Sequence, residues 1–266
     1  MRETGFKIER AQQNIQEEGI VTAEVFNRAI ERCEELLREG EHIRKLSVCP
    51  AVCASFEKEE KKEVTCTVLI IGDPDERIVK LQDSHFSNGI CNLLDTIAVQ
   101  KGVSIIGEYA IQECHPILET AKWLRVEKAG WVTKNDLCKL SSIFLHLSDI
   151  SIPALRINSY LKSMQENGRQ NKKLRLMILE RNGAWQDEEK IEILKGIVMD
   201  DDDLPIEFAV EDYDGDLKDF LPGGFHGGKH QAKGQRHIFK CHDGVKCSIS
   251  FYNDQIKLLV WEGHKC

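Results

Sequence analysis

The sequence predicts an α+β protein: a helical N-terminal part with a small sheet and a helix pair, followed by a mainly antiparallel β C-terminal part. Three observations predict it. In the first half, apolar residues recur at three- and four-residue steps, with Val25, Phe26, Ala29, Ile30, Cys33, Leu36 and Leu37 on one stripe. A polar stretch from Gln165 to Lys173 then interrupts the pattern. Beyond it, β-rich runs alternate with Asp243-Gly244 and Asn253-Asp254, which are hairpin turn signals. The expected division is therefore 1–165, with the helix pair at 133–165, and 174–266, ending in a three-stranded meander.

Element by element, Thr22 is an N-cap and Gly40 a stop for the first strong helix, and a weaker helix precedes it over 7–18. Val64–Ile71 is β-branched and bounded by Gly72-Asp-Pro74, which predicts a strand, with a short second strand over Arg77–Leu81. A helix is expected over 87–101, a strand over 103–111 and a helix over 116–127. Thr133, with Asp136 three residues on, caps a helix running through Leu147. Ser148–Ile150 is the turn, and Ser151 caps the partner helix, with Pro153 tolerated in its first turn. Leu174–Leu179 is a strand ending at the hairpin signal Asn182-Gly183. Lys190–Val198 fits helix or strand, and Pro205–Val210 is a strand. The meander comprises His237–His242, Val245–Tyr252 and Gln255–Glu262.

The chain has 266 residues, 41% of them hydrophobic and 30% charged, enough to bury a core without staples. The first residues lack an apolar leader core, and the apolar run Val64–Ile71 is far shorter than the about 20 residues a membrane-spanning helix needs. A soluble cytoplasmic protein without a membrane partner is expected. Its ten cysteines are then read as free thiols of a reducing compartment. The net charge of −8 disfavours a whole-protein grip on nucleic acid. Charge is segregated, however: Arg156–Arg181 holds seven basic and two acidic residues, and Gln186–Asp219 holds three basic and fourteen acidic.

Several constellations carry chemistry. His226 and His230 lie four apart in a glycine-rich loop, and Cys241 and Cys247 flank the Asp243-Gly244 turn. Thiolate and imidazole are zinc ligands, so these four form a possible zinc site, although no C-x2-C knuckle is present. A two-residue turn there sets Cys241 opposite Lys246 and Lys240 opposite Cys247. The same loop, with Lys229, Lys233 and Arg236, offers backbone N–H groups to a phosphate but lacks the P-loop pattern. Cys49 and Cys53, with His42 and Cys66, form a second cysteine-rich group. Cys91, after Asn88-Gly89, would be an activated thiol only with a base such as His115 or His146 beside it. The run from Asp212 fails the calcium-loop template, having Leu217 at its sixth position and Gly223 at its twelfth. The helix pair has a helix-turn-helix outline, and Arg156, Lys162, Lys172 and Lys173 could meet phosphates.

No hydrolase, zinc-protease, P-loop or kinase signature occurs. The expected function is an intracellular interaction or regulatory protein, bound to a protein partner and without a catalytic centre. The alternatives are a zinc-dependent enzyme or zinc-stabilised module, and a nucleic-acid-binding regulator.

Overall fold

A computed structural model describes residues 45–48, 64–71, 90–95, 97–107, 114–201, 204, 207–209, 217, 220, 225–226, 229–231 and 236–261. The helices expected over 7–18 and from Thr22, the Cys49/Cys53 pair, the Arg77–Leu81 strand and the Asp212 run lie outside these residues. The chain divides into two compact units, Met1–Ala121 and Lys122–Cys266.

In the first unit, β1 (Lys45–Val48), β2 (Val64–Ile71) and β3 (Ile97–Ile105) form parallel pairs, with β2 in the middle. Cys66 and Val68–Ile71 are buried almost completely, the continuous apolar pattern of a parallel strand. The register shifts between Cys66 and Val68. Residues 90–95 are helical, and α1 (Pro116–Thr120) is capped by His115, whose Nδ1 accepts from the Ile117 N–H at 3.3 Å.

The second unit is built as β4 (Trp123–Val126), α2 (Lys134–Lys139), β5 (Phe144–Leu147), α3 (Ala154–Asn167), β6 (Leu176–Glu180) and α4 (Asp187–Leu194). Then come β7 (Glu207–Ala209), β8 (Phe225–His226), β9 (Lys229–Gln231), β10 (Arg236–Lys240), β11 (Lys246–Tyr252) and β12 (Gln255–Trp261). β4, β5 and β6 are parallel neighbours. β12 adds antiparallel to β6, then β11 and β10 follow antiparallel. β7, β9 and β8 form a separate small antiparallel sheet. The two parallel crossovers run the same way, so their right-handed sense puts α2 and α3 on one face.

That face is apolar. Leu124, Val126, Leu145, Leu147, Met177 and Leu179 alternate onto it, and all are buried. Each such side chain contributes about 1.5–3 kcal/mol when removed from water. Asn158 on α3 is also buried, and its Nδ2 donates to the Ile193 and Lys195 carbonyls at 2.8 and 2.9 Å. It thereby satisfies carbonyls left over at the end of α4.

The expected fold class is corrected here. Among the described residues 34% are strand and 29% helical, and a helical N-terminal part is not shown. Of the helix expected over 87–101, the described residues 90–95 are helical, and from Ile97 the chain is β3. The helix expected over 116–127 stops at Thr120, and its remainder is β4. The helix pair at 133–165 is instead helix, strand, helix. The Thr133–Asp136 capping box forms as expected, but α2 ends at Lys139 and Phe144–Leu147 is a wholly buried strand. For Phe144–Leu147 the physical reason is burial on both faces: such a strand lacks polar alternation, and short runs of that kind mimic a helical stripe. Nor is the C-terminal part mainly antiparallel from its start, because β6 is parallel to β5 and the sheet is mixed. Asn182-Gly183 leads into α4 rather than closing a hairpin, with Gly183 at φ 89°.

The C-terminal meander forms as expected. Tyr252 pairs with Gln255 across a two-residue turn, with Asn253 at φ 52°. The other turn is one residue longer. Lys240 pairs with Lys246, Cys241 N–H donates to the Val245 carbonyl at 2.8 Å, and Gly244 N–H donates to the Cys241 carbonyl at 2.9 Å. Gly244 stands at φ 83°. This is a three-residue loop, a type I turn followed by a left-handed residue.

A Cβ at Gly244 meets nothing closer than 3.9 Å, so only its backbone conformation resists substitution. Gly244→Ala is expected to destabilise the protein by about 1–2 kcal/mol, read as a lower urea midpoint at unchanged slope.

Candidate functional site

The second face of the β4–β5–β6–β12 sheet changes character along its strands. Near their amino ends, Trp123, Phe144 and Leu176 are buried, and Trp123 packs against Phe220 with ring centroids 5.7 Å apart. Toward their carboxyl ends it becomes polar. The registers place Arg125, His146, Ile178 and Lys257 in one cross-sheet row. Glu180 pairs with Gln255 in the next row, and Ser148 lies two residues beyond His146 on the same side. The carboxyl ends of parallel strands are where open α/β sheets usually hold ligands.

Three side chains converge there. His146 Nε2 lies 3.1 Å from Glu180 Oε2, Ser148 Oγ donates to that same oxygen at 3.0 Å, and Ser148 Oγ lies 3.3 Å from His146 Nε2. His146 is 8% exposed, and its Nδ1 is buried without a hydrogen-bond partner among the described residues. The hydrogen bond from His146, then that from Ser148, holds the Glu180 carboxyl down at about 2 against an opposing burial effect. Burial pushes the Lys257 ammonium below its usual range, while Glu180 opposes that shift.

The order of contacts decides what this cluster can do. A Ser-His-acid relay needs the acid on one imidazole nitrogen and the hydroxyl on the other. Here both meet Nε2, and the Ser148 hydroxyl gives its proton to Glu180. The three residues form a closed hydrogen-bond knot joining the ends of β5 and β6, not a nucleophile with its base. Around the knot, Lys128 Nζ donates to Asp149 Oδ2 at 3.0 Å, Asn182 donates to Asp149 Oδ1, and Arg125 pairs with Glu127 at 2.7 Å. Asp149 sits at φ 56°.

The expected site residues are spread differently. Cys241 and Cys247 come together, buried, with their sulfurs 3.4 Å apart. His226 and His230 lie on β8 and β9 of the separate small sheet, where His226 pairs with Lys229 and His230 with Phe225 and Phe208. Among the described residues no three His, Cys, Asp or Glu side chains are placed to hold a metal ion. Arg156 and Lys162 lie on α3, six residues apart and so about 120° apart around it. Lys172 and Lys173 are exposed beyond its far end. His115 is engaged at both nitrogens, Nε2 with Asp95 at 3.1 Å.

An open groove, not foreseen from the sequence, occupies about 630 Å3 between α3 and the segment after α4. Gln165, Glu166, Val198, Met199, Asp200 and Asp201 line it, with Lys240 at one side. The Gln165 amide grips the Val198 backbone on both sides: the Val198 N–H donates to Oε1 at 2.9 Å, and Nε2 donates to the Val198 carbonyl at 2.8 Å. Met199 bridges to Phe239, and Asp200 N–H donates to the Ile238 carbonyl at 2.7 Å. Residues 198–200 are thus held extended, yet Val198 is 73% exposed. The only sequence signal was an apolar Ile197-Val198-Met199 step running into Asp200–Asp203.

No helix among the described residues is long and apolar enough to cross a membrane. No protein-family model matches the chain, and neither a curated protein nor a solved structure matches it.

Glu180 has a testable pH signature. A carboxyl held below its ordinary 4.5 adds stability above that value and loses it as pH falls toward about 2. Glu180→Gln should therefore lower the urea midpoint at pH 7, and its difference from wild type should shrink at pH 3. An equal difference at both pH values would contradict the ionised knot.

Proposed function

We propose that this chain is an interaction protein of regulatory type, which binds a short cationic segment with apolar side chains, contributed by a partner protein, in the groove beside α3. The observation that carries this reading is Val198: a large apolar side chain presented to solvent on a backbone fixed at both sides by Gln165. A fixed apolar contact has little ordering entropy left to lose on binding. Met199 beside it supplies an adaptable, polarizable surface.

Charge selects the occupant. Glu166, Asp200 and Asp201 rim the groove beside Lys240, the Lys162 ammonium lies near Gly196 of its lining, and the sequence Gln186–Asp219 holds fourteen acidic and three basic residues. Opposite charge on the partner speeds encounter and fixes register, while apolar burial supplies affinity. At the polar sheet face Arg125, Lys128 and His146 each meet an acidic side chain.

Fluorescence anisotropy with a labelled peptide of alternating lysine and leucine, beside a glutamate–leucine counterpart, tests the reading. The cationic peptide should bind and the acidic one should not, with affinity falling as salt rises. Val198→Ser should weaken binding about tenfold, equivalent to about 1.4 kcal/mol, and Asp200→Lys with Asp201→Lys should remove it. Equal binding of both peptides, or affinity unchanged in Val198→Ser, would sink the proposal.

A further inference from the structure

The three-residue loop at 242–244 has a chemical consequence. With Phe239 paired to Cys247, Cys241 and Cys247 fall diagonally on one face of the β10–β11 hairpin, because alternate residues share a face. Their sulfurs are 3.4 Å apart, and the two residues are 3% and 0% exposed. A two-residue loop would place them on opposite faces.

The hairpin end is pinned. Arg169, itself buried, donates from Nε to Asp243 Oδ2 at 2.9 Å, and the His242 N–H donates to the Met164 carbonyl at 3.1 Å. All six described cysteines are thiols. The hydrogen bond with Cys241, together with burial, pushes the Cys247 thiol well up and keeps its proton in place. The resting pair is therefore a dithiol.

We propose that Cys241 and Cys247 form a reversible modification site, which closes to an intramolecular disulfide by exchange with a low-molecular-weight disulfide such as oxidised glutathione. Closure shortens the sulfur separation from 3.4 Å to about 2.05 Å. Cys241 adjoins the exposed tip His242-Asp243-Gly244 and reacts first. Cys241 gives its proton to water, its thiolate attacks one sulfur of glutathione disulfide, that S–S bond breaks, and one glutathione leaves as a thiolate that takes up a proton from water. The Cys247 thiol then attacks the Cys241 sulfur of the mixed disulfide, its proton passes to the departing glutathione sulfur, and the second glutathione leaves. Two protein thiols are oxidised, and one glutathione disulfide is reduced to two glutathiones. The site does not depend on the groove being occupied.

The test uses the full chain in glutathione redox buffers without denaturant, followed by acid quench, alkylation and tryptic digestion. Trypsin cuts after Lys240, Lys246 and Lys257, which places the two cysteines on separate peptides, 241–246 and 247–257. As the oxidised fraction rises, these two peptides should appear joined, lighter by two hydrogens than the separate thiols, and dithiothreitol should part them. The proposal is overturned if both peptides stay singly alkylated at every ratio, or if either cysteine is recovered bound to glutathione or to a third cysteine instead. Peptide binding plays no part in the readout, so a failure here is distinct from a failure of the groove.

Discussion

β6 is the element on which the second unit depends. Leu176, Met177, Ile178 and Leu179 are all at most 2% exposed, so every backbone N–H and carbonyl of that strand must find a protein partner. One edge is satisfied by β5 in parallel register and the other by β12 in antiparallel register. β12 lies some 75 residues further along the chain, and it brings β11 and β10 with it. The βαβ half and the meander therefore share one ladder, and destabilising either leaves unpaired polar groups on β6. The His146–Ser148–Glu180 knot sits where this ladder reaches solvent. It exchanges hydration at the strand ends for three mutual hydrogen bonds.

Two polar regions result, with opposite physics. On the sheet face, Arg125, Lys128 and His146 each have an acidic partner within 3.1 Å. Such mutually bonded side chains hold geometry. Along the groove, carboxylates outnumber cations and flank exposed apolar atoms. An apolar side chain left in water gains from being covered.

What was legible in the sequence follows from range. The meander was legible because Ile256, Leu258 and Val260 alternate and turn residues bound each run. The Thr133–Asp136 box was legible because capping is a contact over three residues. Phe144–Leu147 was not, because the leucines and phenylalanine of a doubly buried strand carry no period of their own. Only its neighbours on β4 and β6 make it a strand. The polar knot was hidden for the same reason: His146 and Ser148 share a side only in extended backbone, and Glu180 joins them through a register that no local pattern encodes.

The 240–246 turn shows how small the decisive difference is. Asp243-Gly244 is as good a two-residue turn signal as any in the chain, yet Gly244 serves as the left-handed third residue of a longer loop. What selects that loop lies elsewhere in the fold. Arg169, just beyond α3, reaches Asp243, and the Met164 carbonyl takes the His242 N–H, so the tip is held from outside the hairpin as well as by its own sequence. Asp243 Oδ1 also accepts from the Val245 N–H at 3.3 Å, which favours the three-residue loop over the shorter one. Shifting the pairing by one residue exchanges the faces of an entire strand. Buried Phe239, Cys241 and Cys247 on one side, with exposed Lys240 on the other, is the arrangement that keeps the lysine in water. The same desolvation penalty that keeps Lys240 out of the core therefore brings the two thiols within reach of each other.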